Sequence, residues 1–201
     1  MTTALADSVN VESGATLNIQ AGQKLTLDDT AGSNTTIAGT LYLQGSGSEL
    51  AFTINDQTID GAGKIVGQHN SALITITQLE TLTNETTIEG QLTITDESIT
   101  GTFVNSGTVH ANVAGTLLIS TDSFDDDTGA LWKVSDSSSA ILKIDASGTK
   151  AVLEGSFEIF DDGKLVVGSP GFETTGSLVW KGGTIDVGSS SLADFGWFPD
   201  P

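Results

Sequence analysis

The stretch TTIAGTLYL at Thr35–Leu43 returns as TTIEGQLTI at Thr86–Ile94, 51 residues later. Both copies have one plan: a short alternating run, a corner carrying Gly39 or Gly90, and a second alternating run. Apolar residues at every second position mark a β-strand with one buried face, and glycine suits a sharp bend. Nowhere are helix formers grouped with apolar residues 3.6 apart.

Working outward, the first apolar residue after each small corner residue forms a track. Its members are Leu17, Leu41, Ile65, Leu92, Leu117, Ile141 and Leu165, at steps of 24, 24, 27, 25, 24 and 24. Ile185 adds a further member after 20 residues. Gly39, Gly63, Gly90, Gly115, Ser139, Gly163 and Gly183 each stand two residues before a member. A second track reads Leu25, Leu50 and Leu73, continuing through Phe103, Leu131, Phe157 and Leu178; a third reads Ile37, Ile59, Ile88 and Val113. The interval of 51 is thus two periods of 24–25 residues.

One such unit cannot bury its own inward side chains, but stacked units form a continuous core. The fold expected is all-β: a right-handed, single-stranded parallel β-helix of about seven coils, each of 24–25 residues with three short strands. At a rung spacing of about 4.8 Å it would stand roughly 34 Å tall. An antiparallel sandwich also has frequent turns, but nothing in it would hold one period over six steps.

The runs GATLNI, GTLYL, GQLTI, GTLLI and GGTIDV resemble the repeats of very large exported bacterial proteins, the autotransporter passengers and filamentous-haemagglutinin-like adhesins. That resemblance implies a right-handed β-helix serving as a stalk or adhesive surface, extracellular or on the bacterial cell surface. It brings no catalytic motif.

Composition narrows the function classes. The 201 residues carry 26 acidic and 7 basic side chains, a net charge of −19, and every basic residue is lysine. Such a surface repels nucleic acid and anionic membranes, which need a basic patch, and attracts cations. No cysteine is present, which excludes disulfides and thiolate metal sites. No apolar run is long enough for a spanning helix, and Met1–Ala6 lacks the features of a signal peptide, so the chain reads as an excised fragment with an added Met. Residues 1–191 read as the β-helix. Residues 192–201 read as an aromatic cap or linker, with Phe195, Trp197 and Phe198 placed to plug the last coil.

The candidate chemistry is sparse. Asp96, Asp122 and Asp145 fall four, five and four residues after track members and would stack at one corner, with Asp125, Asp126 and Asp127 nearby. Carboxylates so spaced repel unless a cation compensates, which makes Ca²⁺ the one candidate ion; otherwise these residues make turns, and no cofactor is required. His69 and His110 read as surface histidines. Trp132 and Trp180 read as wall or core residues.

Leu118, Leu142 and Val166 each follow a track member and would form an apolar band on the outer wall. The segment containing Phe124, or a partner, would cover it. Outward threonines (Thr26, Thr53, Thr75 and Thr93) fall on different tracks and form no regular water-ordering array. The function expected is a non-catalytic structural or adhesive module. Its partners would be a surface or glycan and further repeats of the same larger protein, with specificity in the corner segments Ser120–Gly129 and Asn84–Thr87. The alternative is a carbohydrate-active β-helix enzyme or glycan-binding module. The absence of arginine and the acidic surface weigh against a lyase acting on anionic polysaccharide.

Overall fold

The computed structural model describes residues 2–28, 34–53, 55–77, 80–97, 100–135, 139–145, 151–168 and 172–187, with only the backbone of Ala151, Asp161 and Phe172. The chain begins with β1 (Thr2–Ala6), β2 (Asn10–Val11), β3 (Thr16–Gln20), β4 (Gln23–Leu27), β5 (Thr35–Ile37), β6 (Thr40–Gln44) and β7 (Glu49–Phe52). It continues through β8 (Gln57–Asp60), β9 (Lys64–Ile76), β10 (Thr81–Asn84), β11 (Thr87–Asp96), β12 (Thr102–Asn105), β13 (Thr108–Ala111) and β14 (Gly115–Ser120). It closes with β15 (Ser123–Asp126), β16 (Leu131–Val134), β17 (Ala140–Ile144), β18 (Ala151–Leu153), β19 (Ser156–Val167), β20 (Phe172–Thr174) and β21 (Leu178–Asp186).

These strands wind into a β-solenoid of about seven turns. Every strand pairing among the described residues is parallel and joins one turn to the next. Three walls result. The first is a six-stranded sheet, β2-β5-β8-β10-β12-β15, followed by the two-stranded β18-β20. The second and third walls merge into one 13-stranded sheet, because β9, β11, β19 and β21 run around the corner between them.

Inward side chains stack in columns. On the second wall the column is Leu17, Leu41, Ile65, Ile88, Val109, Trp132, Phe157 and Leu178. On the third it is Leu25, Leu50, Ile74, Ile94, Ile119, Ile144 and Val167. Members between the ends are at most 2% exposed. Trp132 and Phe157 stack at 6.0 Å with an interplanar angle of 12°. Each fully buried aliphatic member contributes about 1.5–3 kcal/mol, so the stack itself is the core.

The columns correct the tracks drawn from spacing. Ile65 pairs with Ile88, and Leu92 begins a different column, Leu92-Leu117-Leu142-Leu165-Ile185. The cause is the corner. Strand β9 rounds it with His69–Ala72, whereas β11 uses Leu92 alone, and the step of 27 crossed from one column to the other. Gly90 makes the short corner possible: its φ is +97°, and a Cβ there would run into the Gly67 carbonyl oxygen.

Other assignments shift as well. Ile74 replaces Leu73 beside Leu50. Phe103 stacks between Leu82 and Phe124 on the first wall. Phe157 and Leu178 belong to the second wall, where Ile88 also sits, and Leu131 faces outward beside Ser156. On the first wall Val11 pairs with Ile37, but Ile59 pairs with Thr35 and Asn84, and Val113 is 39% exposed.

Candidate functional site

The first wall carries the most distinctive inward chemistry. Its column Ile59-Asn84-Asn105-Asp126 turns from apolar to amide to carboxylate as it climbs. Asn84, Asn105 and Asp126 are all buried. Asn84 Nδ2 donates to Asn105 Oδ1 at 2.9 Å and to the Thr86 carbonyl at 3.2 Å, while the Thr86 amide donates to Asn84 Oδ1. The corner residues Glu85 and Thr86 are therefore fastened from inside the core.

Asp126 closes the column differently. The Trp132 indole N–H donates to Oδ2 at 2.6 Å, and the amides of Glu154 and Gly155 donate to Oδ1 at 2.6 and 3.1 Å. Its carboxyl pKa is raised above the ordinary 3.8, chiefly by burial; these three donors pull the other way, and Asp125 adds a little repulsion. Asp126 thereby ties β15 to the start of β16 and to the corner after β18.

The remaining candidate carboxylates are dispersed. Asp96 Oδ2 accepts from the amides of Gly101 and Asp122, each at 3.0 Å. Asp145, just past the end of β17, pairs with Lys143 of that strand at 2.7 Å. Asp127 accepts from the Ser106 hydroxyl, and Asp125 accepts from the Asp126 amide. Asp122 lies beside Asp96 through its backbone. Apart from Asp122, whose amide donates to Asp96, these carboxylates act as acceptors for nearby amides, a hydroxyl, an indole or a lysine. Among the described residues no group of three or more His, Asp or Glu side chains is placed to share a metal ion.

The apolar outer band is overturned. Leu142 points into the core at 0% exposure, and the residue beside Leu118 and Val166 is Lys143. A one-residue slip in register reverses every side chain, so Ile141, read as inward, lies on the outer face instead. Nor does Phe124 cover an outer wall: Ser120–Gly129 contains β15, and Phe124 is buried in the column above Phe103. Asn84–Thr87 is a tight corner joining β10 to β11. Thr26 and Thr75, read as outward hydroxyls, are buried at 9% and 2%. Phe195, Trp197, Phe198 and the whole segment 192–201 lie outside the described residues.

The histidines separate. His69 Nδ1 accepts from the Ser71 amide on an exposed corner. His110 Nε2 lies 2.6 Å from Ser135 Oγ, but Ser135 is 1% exposed, which shields that hydroxyl from any solvent-borne substrate. Trp132 is fully buried, whereas Trp180 is 49% exposed.

Lysines form a pattern that spacing did not reveal. Lys24 meets Glu49 at 2.7 Å, Lys64 meets Glu89 at 2.7 Å, Lys133 meets Glu158 at 3.8 Å and Lys164 meets Asp186 at 2.9 Å. Each of these pairs joins adjacent turns. Lys181 lies over the Phe160 ring at 5.4 Å. The Glu89 hydrogen bond leads the influences that raise the Lys64 pKa above 10.5.

The outer surface also carries a trough of about 460 Å³ at the corner between the first and second walls. Thr16, Thr40, Thr87, Lys64 and Glu89 border it, over a floor of Ala and Gly. Gly63 in that floor is fixed by packing, since a Cβ would strike the carbonyl oxygens of Gly39 and Ile37. The trough can offer hydroxyls, one amine and one carboxylate to a polar ligand lying along the stack. Sequence spacing missed it because Thr16, Thr40, Lys64 and Thr87 come from four different turns. No family model, curated protein or solved structure matches the chain.

Proposed function

We propose that this chain is a non-catalytic structural and adhesive module of an exported bacterial protein, of the autotransporter-passenger or filamentous-haemagglutinin-like kind. It would work outside the cell or at its surface, as a rigid spacer whose walls meet a surface or glycan. The carrying observation is the unbroken parallel core from β1 to β21, stitched on its outside by lysine–carboxylate pairs between turns. Such a stack resists bending and proteolysis because most of its strands are paired on both sides. The trough with Thr16, Thr40, Lys64, Thr87 and Glu89 is the attachment face in this reading, and hydroxyl-rich neutral glycan is the ligand class its groups suit. Ca²⁺ is not needed for the fold in this reading, and further turns of the same larger protein are its natural neighbours.

The test is retention of the purified chain on immobilised neutral glycans, with release of new reducing ends assayed in parallel. The expected result is retention weakened about tenfold or more by Lys64→Ala combined with Thr40→Val, with no new reducing ends. Reducing-end release would replace this reading with the carbohydrate-active enzyme. Retention indifferent to the double substitution would remove the trough from it.

A further inference from the structure

The trough borders a broader surface, the outer face of the second wall across β3, β6, β9 and β11. Two residues along the strands from Thr40 and Lys64 stand Tyr42 and Val66, partners in register, with Asn18 on the rung below. Two residues further come glutamines. Gln44 lies above Gln20 and Gln91 above Gln68, while the Leu43–Gly67 pair brings Gln68 to the rung above Gln44. Leu41, Leu43 and Ile65 on the same strands are buried in the core, so the side chains between them face out. The face thus has three upright rows: the hydroxyls and lysine along the trough, a middle row with a phenol ring and a valine, and a ladder of amides.

This face carries almost no net charge. Among its described residues the ionised side chains are Lys64 and Glu89, which meet at 2.7 Å. The first wall and its corners differ, exposing Glu85, Asp125 and Glu154. With a net charge of −19 the chain repels anionic polymers from every side, and a cationic one would settle on the first wall. A neutral wall suits a neutral ligand. Tyr42, the one tyrosine of the chain, is half-buried in the middle row, between Thr40 and Gln44 of its own strand. A ring with hydroxyls on one side and amides on the other offers an apolar floor between polar walls.

We infer that the ligand of this face is a linear neutral glycan of equatorially linked pyranose rings, lying up the second wall with one sugar to each turn. The inference rests on the attachment face proposed above and adds the geometry of the sugar chain. Rungs stand about 4.8 Å apart, close to the advance per sugar of an extended, equatorially linked chain. Each sugar then has an amide on one side and a hydroxyl or the Lys64 amine on the other. Alternate sugars are turned over, but both of their edges carry hydroxyls, so the two polar rows serve either orientation. A pyranose with equatorial hydroxyls turns only axial C–H bonds toward what lies beneath it, and that apolar face stacks on Tyr42 and Val66. An axial hydroxyl would be pressed against the ring without a partner. An α-linked chain curls and leaves the line of the rungs. Tyr42 is therefore the residue that sets specificity, with Gln44 and Gln68 orienting the sugars over it.

The test is calorimetric titration of the intact chain with β-1,4-linked oligomers of glucose and of N-acetylglucosamine, two, four and six sugars long, beside α-1,4-linked glucose oligomers of the same lengths. Affinity for at least one β-linked series should rise tenfold or more from two sugars to four, because four turns carry the face, and change little from four to six. The α-linked tetramer should bind at least tenfold more weakly. Incorporated 3-fluorotyrosine labels Tyr42 alone, and its fluorine resonance should shift as the β-linked tetramer binds. These readouts need no substitution. Tyr42→Ala should weaken binding at least tenfold and Tyr42→Phe less than threefold, while Thr83→Ala, on the outer face of the first wall, should leave it unchanged. Affinity independent of length, equal affinity for α- and β-linked chains, or a fluorine resonance indifferent to ligand overturns the inference. The adhesive reading survives those results where retention on immobilised glycan still depends on Lys64 and Thr40. Failure to bind any neutral glycan overturns both.

Discussion

The columns Ile74-Ile94-Ile119-Ile144 and Ile59-Asn84-Asn105-Asp126 occupy equivalent inward places on the third and first walls. The first column needs only volume. Its attraction is non-directional, and any rung resembles the next. The second sits where the chain leaves the first wall, and its members meet backbone groups at corners. Asn84 bonds to Asn105 on the rung above, but Asp126 gathers an indole and two amides around one buried carboxylate. An apolar ladder sets the pitch of the stack; a polar ladder sets which corner lies where.

Substitutions at matched heights test that contrast. Asp126→Ala should have the largest effect, because a buried indole N–H and two corner amides lose their acceptor at about 1–3 kcal/mol each; a loss on the order of 4 kcal/mol is expected in denaturant unfolding. A loss below about 1 kcal/mol would mean that water replaces the carboxylate. Ile119→Ala should cost about 3 kcal/mol and Ile119→Val about 1 kcal/mol, a graded response to volume. A polar column should not grade in this way. Asn105→Ala removes the acceptor for Asn84 and should cost about 1–2 kcal/mol, with faster amide exchange at Thr86 as its local sign.

Acidity probes the same carboxylate with a smaller effect. Asp126 has its folded pKa raised above the ordinary 3.8, so the folded state binds its proton more tightly. The penalty of burying the charge is full above the folded pKa and vanishes as pH falls toward 3.8. Stability of the wild-type chain relative to Asp126→Asn should therefore rise on acidification through that window; a fall would reverse the assignment. The smallest effect belongs to the outer stitching. Lys133→Met breaks a pair at 3.8 Å in which both side chains are partly exposed, and should cost about 0.2–1 kcal/mol, less at high salt.

Legibility differed between these levels. The all-β parallel stack could be read from TTIAGTLYL and TTIEGQLTI, because inward positions recur with the turn. The first three members of the main track, Leu17, Leu41 and Ile65, do lie in register. The functional surfaces could not be read this way. The acidic corner column dissolved because Asp96 Oδ2 is taken up by the backbone amides of Gly101 and Asp122, while Asp145 pairs with Lys143. The apolar band dissolved because Leu142, not Ile141, faces inward. The trough joins residues whose only relation is stacking.

The sequence by itself determined the period, the strand character and the sharing of one core by successive turns, since all three follow from spacing along a single coil. The tertiary structure alone decided which residues stand above one another. A corner made with Leu92 in place of His69–Ala72 changes the phase of everything that follows it, and a phase error of one residue exchanges the inside for the outside. The length of each corner is set by how its backbone packs on the turn below, as at Gly90 on Gly67, and that contact exists only once the coil has closed.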